Sequence, residues 1–76
     1  MNLSQYKPGE TGIIEIVGGK GALRRRLLDM GLTPGTRVSV RKVAPFGDPL
    51  ELQLRGYELT IRGDDASIIE MRKVVC

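Results

Sequence analysis

The chain has 76 residues, a net charge of +3, and 41% hydrophobic but only 4% aromatic residues. A chain of this length forms one small domain, because it buries only about 60% of the surface that its unfolded form exposes. With two Tyr, one Phe and no Trp, its core must consist of Val, Ile and Leu, which favours a small sheet over a deep substrate pocket. We expect one domain over residues 1–76.

The basic residues form short clusters at 24–26, 37–42 and 72–73, so contact with an acidic protein or a phosphate backbone is permitted but not demanded. The single cysteine, Cys76, excludes an internal disulfide, and the N-terminus lacks the pattern of a signal peptide. We therefore expect a reducing, cytosolic setting. The apolar runs are far shorter than the roughly 20 residues of a membrane helix, so we expect no direct membrane insertion.

The N-terminal segment carries two apolar side chains, Leu3 and Tyr6, before the turn signature Lys-Pro-Gly-Glu at residues 7–10. We expect this segment to fold as a lid with Leu3 and Tyr6 against the core.

The stretch 11–17 is rich in β-branched residues and predicts the first strand, with Ile14 and Ile16 on one face and Glu15 between them. After several glycines, the spacing of Leu23, Leu27 and Met30 predicts a short amphipathic helix over residues 22–30. We expect a glycine, Gly31, to end this helix in a left-handed conformation.

Residues 33–36, Thr-Pro-Gly-Thr, match a type II turn, and an alternating strand follows at 37–43. Two more alternating segments are expected to form a hairpin closed at Arg55-Gly56. The residues expected to face inward on these strands are Val38, Val40, Leu50, Leu52, Leu54, Tyr57, Leu59 and Ile61.

Residues 63–67 predict a single helical turn, with Asp64 accepting hydrogen bonds from backbone N–H groups at its start. A last strand then places Ile69 and Met71 on the inner side. Five short strands, one short α-helix after the first strand and a single helical turn before the last predict a mainly β fold, a small SH3-like barrel. The competing OB fold carries its helix between the third and fourth strands.

The segment 44–49, here called the proline loop, contains two prolines that restrict the backbone around its tip. A stiff loop that presents an apolar side chain loses little freedom on binding, so this loop is a candidate partner-binding surface. The alternative is that the phenylalanine folds back to plug the barrel. The candidate residues are Pro45, Phe46, Gly47, Asp48 and Pro49.

Three consecutive arginines, Arg24, Arg25 and Arg26, form a second candidate partner-binding surface. They lie in the first half of the predicted helix, and Asp29 lies in its last turn, so both charges oppose the helix macrodipole. This placement hints at a role beyond helix stability, namely docking to an acidic patch. The alternative is an ordinary solvated helix face.

The glycine-rich segment 18–21 opens onto the helix and could hold a phosphate on its backbone N–H groups. It lacks the GxxxxGK[ST] pattern, so a plain strand-to-helix connection is the preferred interpretation.

The residue inventory argues against a metal centre and against catalysis. The chain has no His and its one Cys is the last residue, whereas borderline transition metals usually select imidazole or thiolate ligands. The carboxylates supply only oxygen ligands, and barrel geometry does not obviously converge them, so we predict no metal-site residues and no resident cofactor. For Cys76, a frayed terminal thiol is preferred over metal ligation or a bridge between chains. With no His and no activated nucleophile, we expect no enzymatic activity.

Several motifs occur together along the chain. They are Arg-Arg-Leu-Leu-Asp-Met-Gly-Leu at 25–32, Pro-Gly at 34–35, Ala-Pro at 44–45, Gly-Asp-Pro at 47–49 and Gly-Tyr at 56–57. This combination resembles the FeoA family, the small cytosolic proteins of bacterial ferrous iron uptake. The resemblance covers nearly the whole chain, although Tyr6 stands where the family more often has an aliphatic residue.

This resemblance implies an SH3-like fold and action with FeoB, a membrane protein that moves Fe²⁺ and has a cytosolic GTPase domain. We expect a cytoplasmic accessory protein that binds or regulates the FeoB cytosolic region. Transition metal ion binding, at most weak for Fe²⁺, and the oligomeric state are left open. The alternative is a nucleic-acid-binding small β-barrel, favoured by a sequence pI near 9.4. Three aromatic residues are few for stacking bases, so no nucleic-acid partner is expected.

Overall fold

In a computed structural model, which describes residues 1–46 and 48–74, five strands and two α-helices follow a single 3₁₀ turn at Leu3–Gln5. The strands and helices occur in the predicted order. The first helix spans 21–29 and not 22–30, so it begins and ends one residue earlier than expected. In chain order they are β1 Thr11–Val17, α1 Gly21–Asp29, β2 Arg37–Val43, β3 Leu50–Leu54, β4 Tyr57–Ile61, α2 Gly63–Ser67 and β5 Ile69–Lys73.

The strands form one antiparallel sheet in the order β4-β3-β2-β1-β5, which confirms the mainly β, SH3-like prediction. Two β-bulges interrupt the ladders, one in β1 and one in β2, and bulges bend a strand and increase its twist. The sheet thereby packs one face onto a single core. None of the helices in the described ranges is long and apolar enough to cross a bilayer.

The core is aliphatic, as the composition requires, and the inward faces of β2, β3 and β5 are confirmed. The lid is confirmed as well, because Leu3 and Tyr6 are both buried. The buried apolar residues are Leu3, Tyr6, Ile14, Val17, Leu27, Leu32, Val38, Val40, Leu50, Leu52, Leu54, Ile61, Ala66, Ile69 and Met71.

The inner face of β1 departs from simple alternation. Ile14 is buried, but Ile16 is 61% exposed, so the expectation for Ile16 is wrong. Ile14 lies opposite Met71 and Ile16 lies opposite Glu70, which leaves Glu15 as the extra residue of a bulge. This extra residue turns Ile16 outward and brings Val17 into the core.

The end of α1 is a Schellman motif. Gly31 has a φ of +96°, as predicted, and its N–H donates to the Leu28 carbonyl over 3.0 Å. The Leu32 N–H donates to the Leu27 carbonyl over 3.1 Å, and both of these leucine side chains are fully buried. The motif satisfies carbonyls that the helix end would otherwise leave free and ties α1 to the core.

The turn before β2 and the turn between β3 and β4 also have their expected forms. Thr36 donates its N–H to the Thr33 carbonyl over 3.0 Å, and Gly35 has a φ of +89°, which is typical of a type II turn. Arg55 and Gly56 both have positive φ, +49° and +83°, as a two-residue type I′ hairpin requires.

Candidate partner-binding site

The proline loop presents Phe46 to solvent. Its side chain is 98% exposed, so the interpretation of Phe46 as a barrel plug is wrong. The base of the loop is closed by the Ala44 N–H, which donates to the Pro49 carbonyl over 3.1 Å. Gly47, also predicted as a binding residue, lies outside the described residues.

Asp48 connects the proline loop to α2. Its Oδ1 accepts a hydrogen bond from the Gly63 N–H over 3.1 Å. The side chain of Arg62, the N-cap residue, makes no capping hydrogen bond, and Asp64 lies within the first turn. The expectation that Asp64 caps this helix is therefore wrong, because Asp48 reaches it from 15 residues earlier in the chain.

A cavity of about 340 Å³ adjoins the proline loop on the outer face of the sheet and is here called the outer cavity. Lys42, Glu51 and Thr60 lie side by side across β2, β3 and β4 at its border. Four less polar residues complete its wall: Val43, Ala44, Pro45 and Pro49.

The three arginines of α1 are all exposed, but they differ in their contacts. Arg24 donates its Nε–H to the Val17 carbonyl over 3.2 Å, at the end of β1. Arg26 pairs with Asp65 of α2, with Nη2 and Oδ2 at 3.4 Å. Arg25 has no hydrogen bond or ion pair within residues 1–46 and 48–74.

A second cavity, of about 370 Å³, lies between α1, β4 and α2 and is here called the inner cavity. Thr60 lines both cavities, so the cavity next to the helices and the cavity next to the proline loop both reach β4. Thr60 was not predicted from the sequence. A signal was present, because β4 is the last strand of the β2-β3-β4 meander, and such a strand often lies at the edge of a sheet. The inner cavity is lined by Arg26, Met30, Thr60, Ile61, Arg62, Asp64 and Asp65.

The glycine-rich connection between β1 and α1 is closely packed. The Gly18 N–H donates to the Ile68 carbonyl over 2.7 Å, and a Cβ at Gly18 would lie 2.8 Å from that same oxygen. Gly19 lies against Ile68 and Leu23. These contacts explain two of the glycines by packing and support the plain connection over the phosphate loop.

The acidic residues do not assemble into a metal centre in the part of the chain that the structure describes, where no group of three His, Cys, Asp or Glu residues could hold an ion. Cys76 lies outside the described residues. The expectation of at most weak Fe²⁺ binding stays a prediction.

Comparison with known proteins gives concordant matches over almost the whole chain. The profile of the FeoA domain matches residues 1–73. An Fe(2+) transport protein A/Fe(2+) transporter FeoB fusion protein of Porphyromonas gingivalis is 34% identical over 74 residues. The match covers 97% of this chain but only 9% of the fusion protein.

Solved structures agree with the profile. The FeoA protein of Chlorobium tepidum is 37% identical with a TM-score of 0.90, and the match covers 99% of this chain and 71% of that one. The zinc complex of Stenotrophomonas maltophilia FeoA, described as an SH3 domain protein, is 25% identical with a TM-score of 0.81. That match covers 95% of this chain and 89% of the other. On the profile match and the fusion relative, this chain belongs to the FeoA domain family.

Proposed function

We propose that this protein is an accessory domain of bacterial ferrous iron uptake that associates with the FeoB transporter through protein–protein contacts. The observation that carries the proposal is the Porphyromonas gingivalis fusion protein, in which a segment similar to 97% of this chain shares one polypeptide with FeoB. A covalent link keeps two modules at high effective concentration, which suits partners that contact each other repeatedly.

The proline loop is the proposed primary contact. An exposed Phe side chain contributes about 1.5–3 kcal/mol when it becomes fully buried. The loop is held in place before binding by its prolines and by the hydrogen bond between Asp48 and Gly63. Pre-organisation of this kind reduces the entropy that binding would otherwise cost.

Among the arginines of α1, Arg25 is the proposed contact to an acidic patch of FeoB. Arg24 and Arg26 already hold local contacts, to the Val17 carbonyl and to Asp65 respectively. Because surface ion pairs contribute only about 0–1 kcal/mol, Arg25 would orient the complex more than stabilise it.

We expect the domain to act by binding on the cytosolic side of the membrane, without catalysis. The lack of His in the sequence supports this view, since no general base of that type is present to activate a nucleophile. The nucleic-acid alternative is weakened by the position of Tyr6, which is buried and therefore unable to stack on a base.

The test is an NMR amide-shift titration of the labelled protein with the cytosolic region of its cognate FeoB, with and without anaerobic Fe²⁺. Shifts that cluster on residues 44–49 and on α1 are the expected result. Phe46→Ala should weaken binding strongly and Arg25→Glu should slow association, whereas Arg72→Glu on β5 serves as the matched charge control.

The absence of shifts under both conditions would reject the proposed contact with the FeoB cytosolic region. A steeply salt-dependent affinity for oligonucleotides in the same samples would instead support the nucleic-acid alternative. A change in the FeoB titration on adding Fe²⁺ would show that the metal regulates the contact.

A further inference from the structure

The two edge strands of the sheet, β5 and β4, differ in whether another segment covers their outer edge. The outer edge of β5 is covered by the N-terminal residues, since the Met71 N–H donates to the Met1 carbonyl over 2.9 Å and Asn2 forms a bridge with Glu70. The outer edge of β4 has no backbone partner within the described ranges. An uncovered edge is a template for pairing with another chain.

The hairpin register identifies the free groups on that edge. A two-residue hairpin makes Leu54 and Tyr57 a hydrogen-bonded pair, and such pairs alternate along an antiparallel ladder. The backbone groups of Tyr57, Leu59 and Ile61 therefore point toward β3. Those of Glu58 and Thr60 point away from the sheet, which leaves two N–H donors and two carbonyl acceptors in one row.

Proteins commonly protect an open edge with proline, lysine or an inward-pointing charge. β4 reads Tyr-Glu-Leu-Thr-Ile, which contains neither proline nor lysine and is rich in residues that favour strands. Its inner side carries Tyr57, Leu59 and Ile61, none of them charged. The one charged side chain of the strand, Glu58, pairs with Arg41 over 3.6 Å on the outer face of the sheet. Within the described residues the strand therefore has no unpaired charge to oppose pairing.

The two cavities flank this edge on opposite sides at Thr60. The outer cavity of about 340 Å³ lies on the outer face, and the inner cavity of about 370 Å³ lies between the helices. Successive side chains of an extended peptide point to opposite faces of a sheet. A strand added along β4 would thus direct successive side chains toward the two faces on which these cavities reach Thr60.

We propose that the outer edge of β4 is a strand-addition site for an extended peptide segment of a protein partner. Backbone hydrogen bonds to Glu58 and Thr60 supply affinity, and the two cavities supply specificity, as in other cases of strand addition. The proposal goes beyond association with FeoB, because it does not depend on which protein provides the peptide.

The residues that line the two cavities indicate which peptide side chains would fit them. The outer cavity offers the apolar walls of Val43, Pro45 and Pro49, with Lys42 and Glu51 balancing each other in charge, so it suits an apolar side chain. The inner cavity contains two arginines and two aspartates, so its formal charge also cancels. It suits a polar, uncharged side chain, and the preferred peptide alternates apolar and polar uncharged residues.

The experiment is selection from a phage-displayed library of random nine-residue peptides on the full chain, followed by measurement of Kd for the enriched peptides. We expect an alternating consensus that binds Thr60→Ala within about threefold of the wild type, since alanine keeps the backbone N–H. Thr60→Pro removes that N–H and should weaken binding about tenfold or more, the effect of losing one hydrogen bond of 1.4 kcal/mol.

Thr60→Pro is compatible with the fold, because its N–H belongs to no ladder hydrogen bond and proline is tolerated on edge strands. An independent arm leaves the protein unchanged and methylates successive backbone nitrogens of the selected peptide. Methylation should abolish binding at every second position and have little effect at the positions between.

Three outcomes would overturn the proposal. One is the absence of any enriched peptide, and another is uniform sensitivity to N-methylation along the peptide. The third is self-association of the wild-type protein that Thr60→Pro abolishes, which would assign the edge to β4 of a second copy of this chain.

Discussion

The ring of Tyr6 occupies the space next to Gly12 that any larger residue at position 12 would need. A Cβ on Gly12 would lie 2.9 Å from Tyr6 Cε2 and also 2.9 Å from Met71 Cε, closer than such atoms approach in proteins. The lid is thus fitted to β1, with an aromatic residue on one side and a glycine on the other.

We expect Tyr6→Phe to stabilise the protein. The Tyr6 hydroxyl is buried and has no hydrogen-bond partner among the described residues, and burial raises its pKa. Removing a buried, unsatisfied hydroxyl should increase the free energy of unfolding by about 1 kcal/mol, measured by urea denaturation. A loss of stability would mean that the hydroxyl has a partner, such as a bound water molecule.

Gly12→Ala should be costly mainly because of the tyrosine ring, since the other close neighbour, Met71 Cε, is the end of a flexible side chain. In the wild-type background we expect overpacking to cost about 1–3 kcal/mol. In a Tyr6→Leu background, where the reach of the ring is gone, the same substitution should cost clearly less. Urea denaturation of the four proteins of this double-mutant cycle gives the coupling directly. Equal costs in both backgrounds would contradict the fit between the two residues.

Asp48→Ala should destabilise the protein by about 1 kcal/mol, the typical effect of losing a helix cap. The physical reason is that the Gly63 N–H at the start of α2 loses its acceptor. Asp48→Asn is the matched control, since its amide oxygen can still accept the bond. Urea denaturation and the amide shift of Gly63 provide the measurements, and equal effects of the two variants would argue against a capping role.

Phe46→Ala should leave the free energy of unfolding within about 0.5 kcal/mol of the wild type, as expected for a surface substitution. The reason is that its side chain is 98% exposed and buries almost nothing within the domain. Thermal and urea denaturation measure this directly. A drop of about 3 kcal/mol, typical of a core phenylalanine, would restore the barrel-plug interpretation.

Stability should fall in acid partly through Glu10. Hydrogen bonds from the Lys73 ammonium and from the Lys7 N–H lower the pKa of this carboxyl below its ordinary value of 4.5. The charged form is therefore favoured in the folded state. Its contribution is complete above pH 4.5 and is lost as the pH falls through the lower, folded-state pKa.

Glu10→Gln removes this titration. We expect the stability difference between wild type and Glu10→Gln to be constant above pH 4.5 and to shrink below it, as measured by urea denaturation across pH. A difference that stays constant into strong acid would show that the carboxylate is not specifically stabilised in the folded state.

The features that sequence reasoning predicted correctly depend on a few neighbouring residues. Alternation sets the inner faces of β2 and β3 because side chains on a strand repeat every two residues. Gly31, Gly35 and Gly56 each occupy a backbone conformation with positive φ, which glycine adopts at little cost.

The features that were missed depend on contacts between distant segments. The outward turn of Ile16 follows from the register of β1 against β5, which places Glu15 as an extra residue. Tyr57 does lie on the inner face, opposite Leu54, but it is 41% exposed and donates its hydroxyl to the Met30 carbonyl over 2.5 Å. The strand that pairs with β1 and the carbonyl that Tyr57 binds both lie far away in the sequence, so no local pattern predicts either contact.

The family, the order of elements and the aliphatic core follow from the amino-acid sequence alone, because composition, periodicity and turn residues act over short stretches of chain. The exposure of Phe46, the capping of α2 by Asp48 and the place of Thr60 between two cavities appear only in the folded structure. Each of these depends on how segments that are distant in the chain pack against one another. That packing involves the whole core at once, and no short segment encodes it.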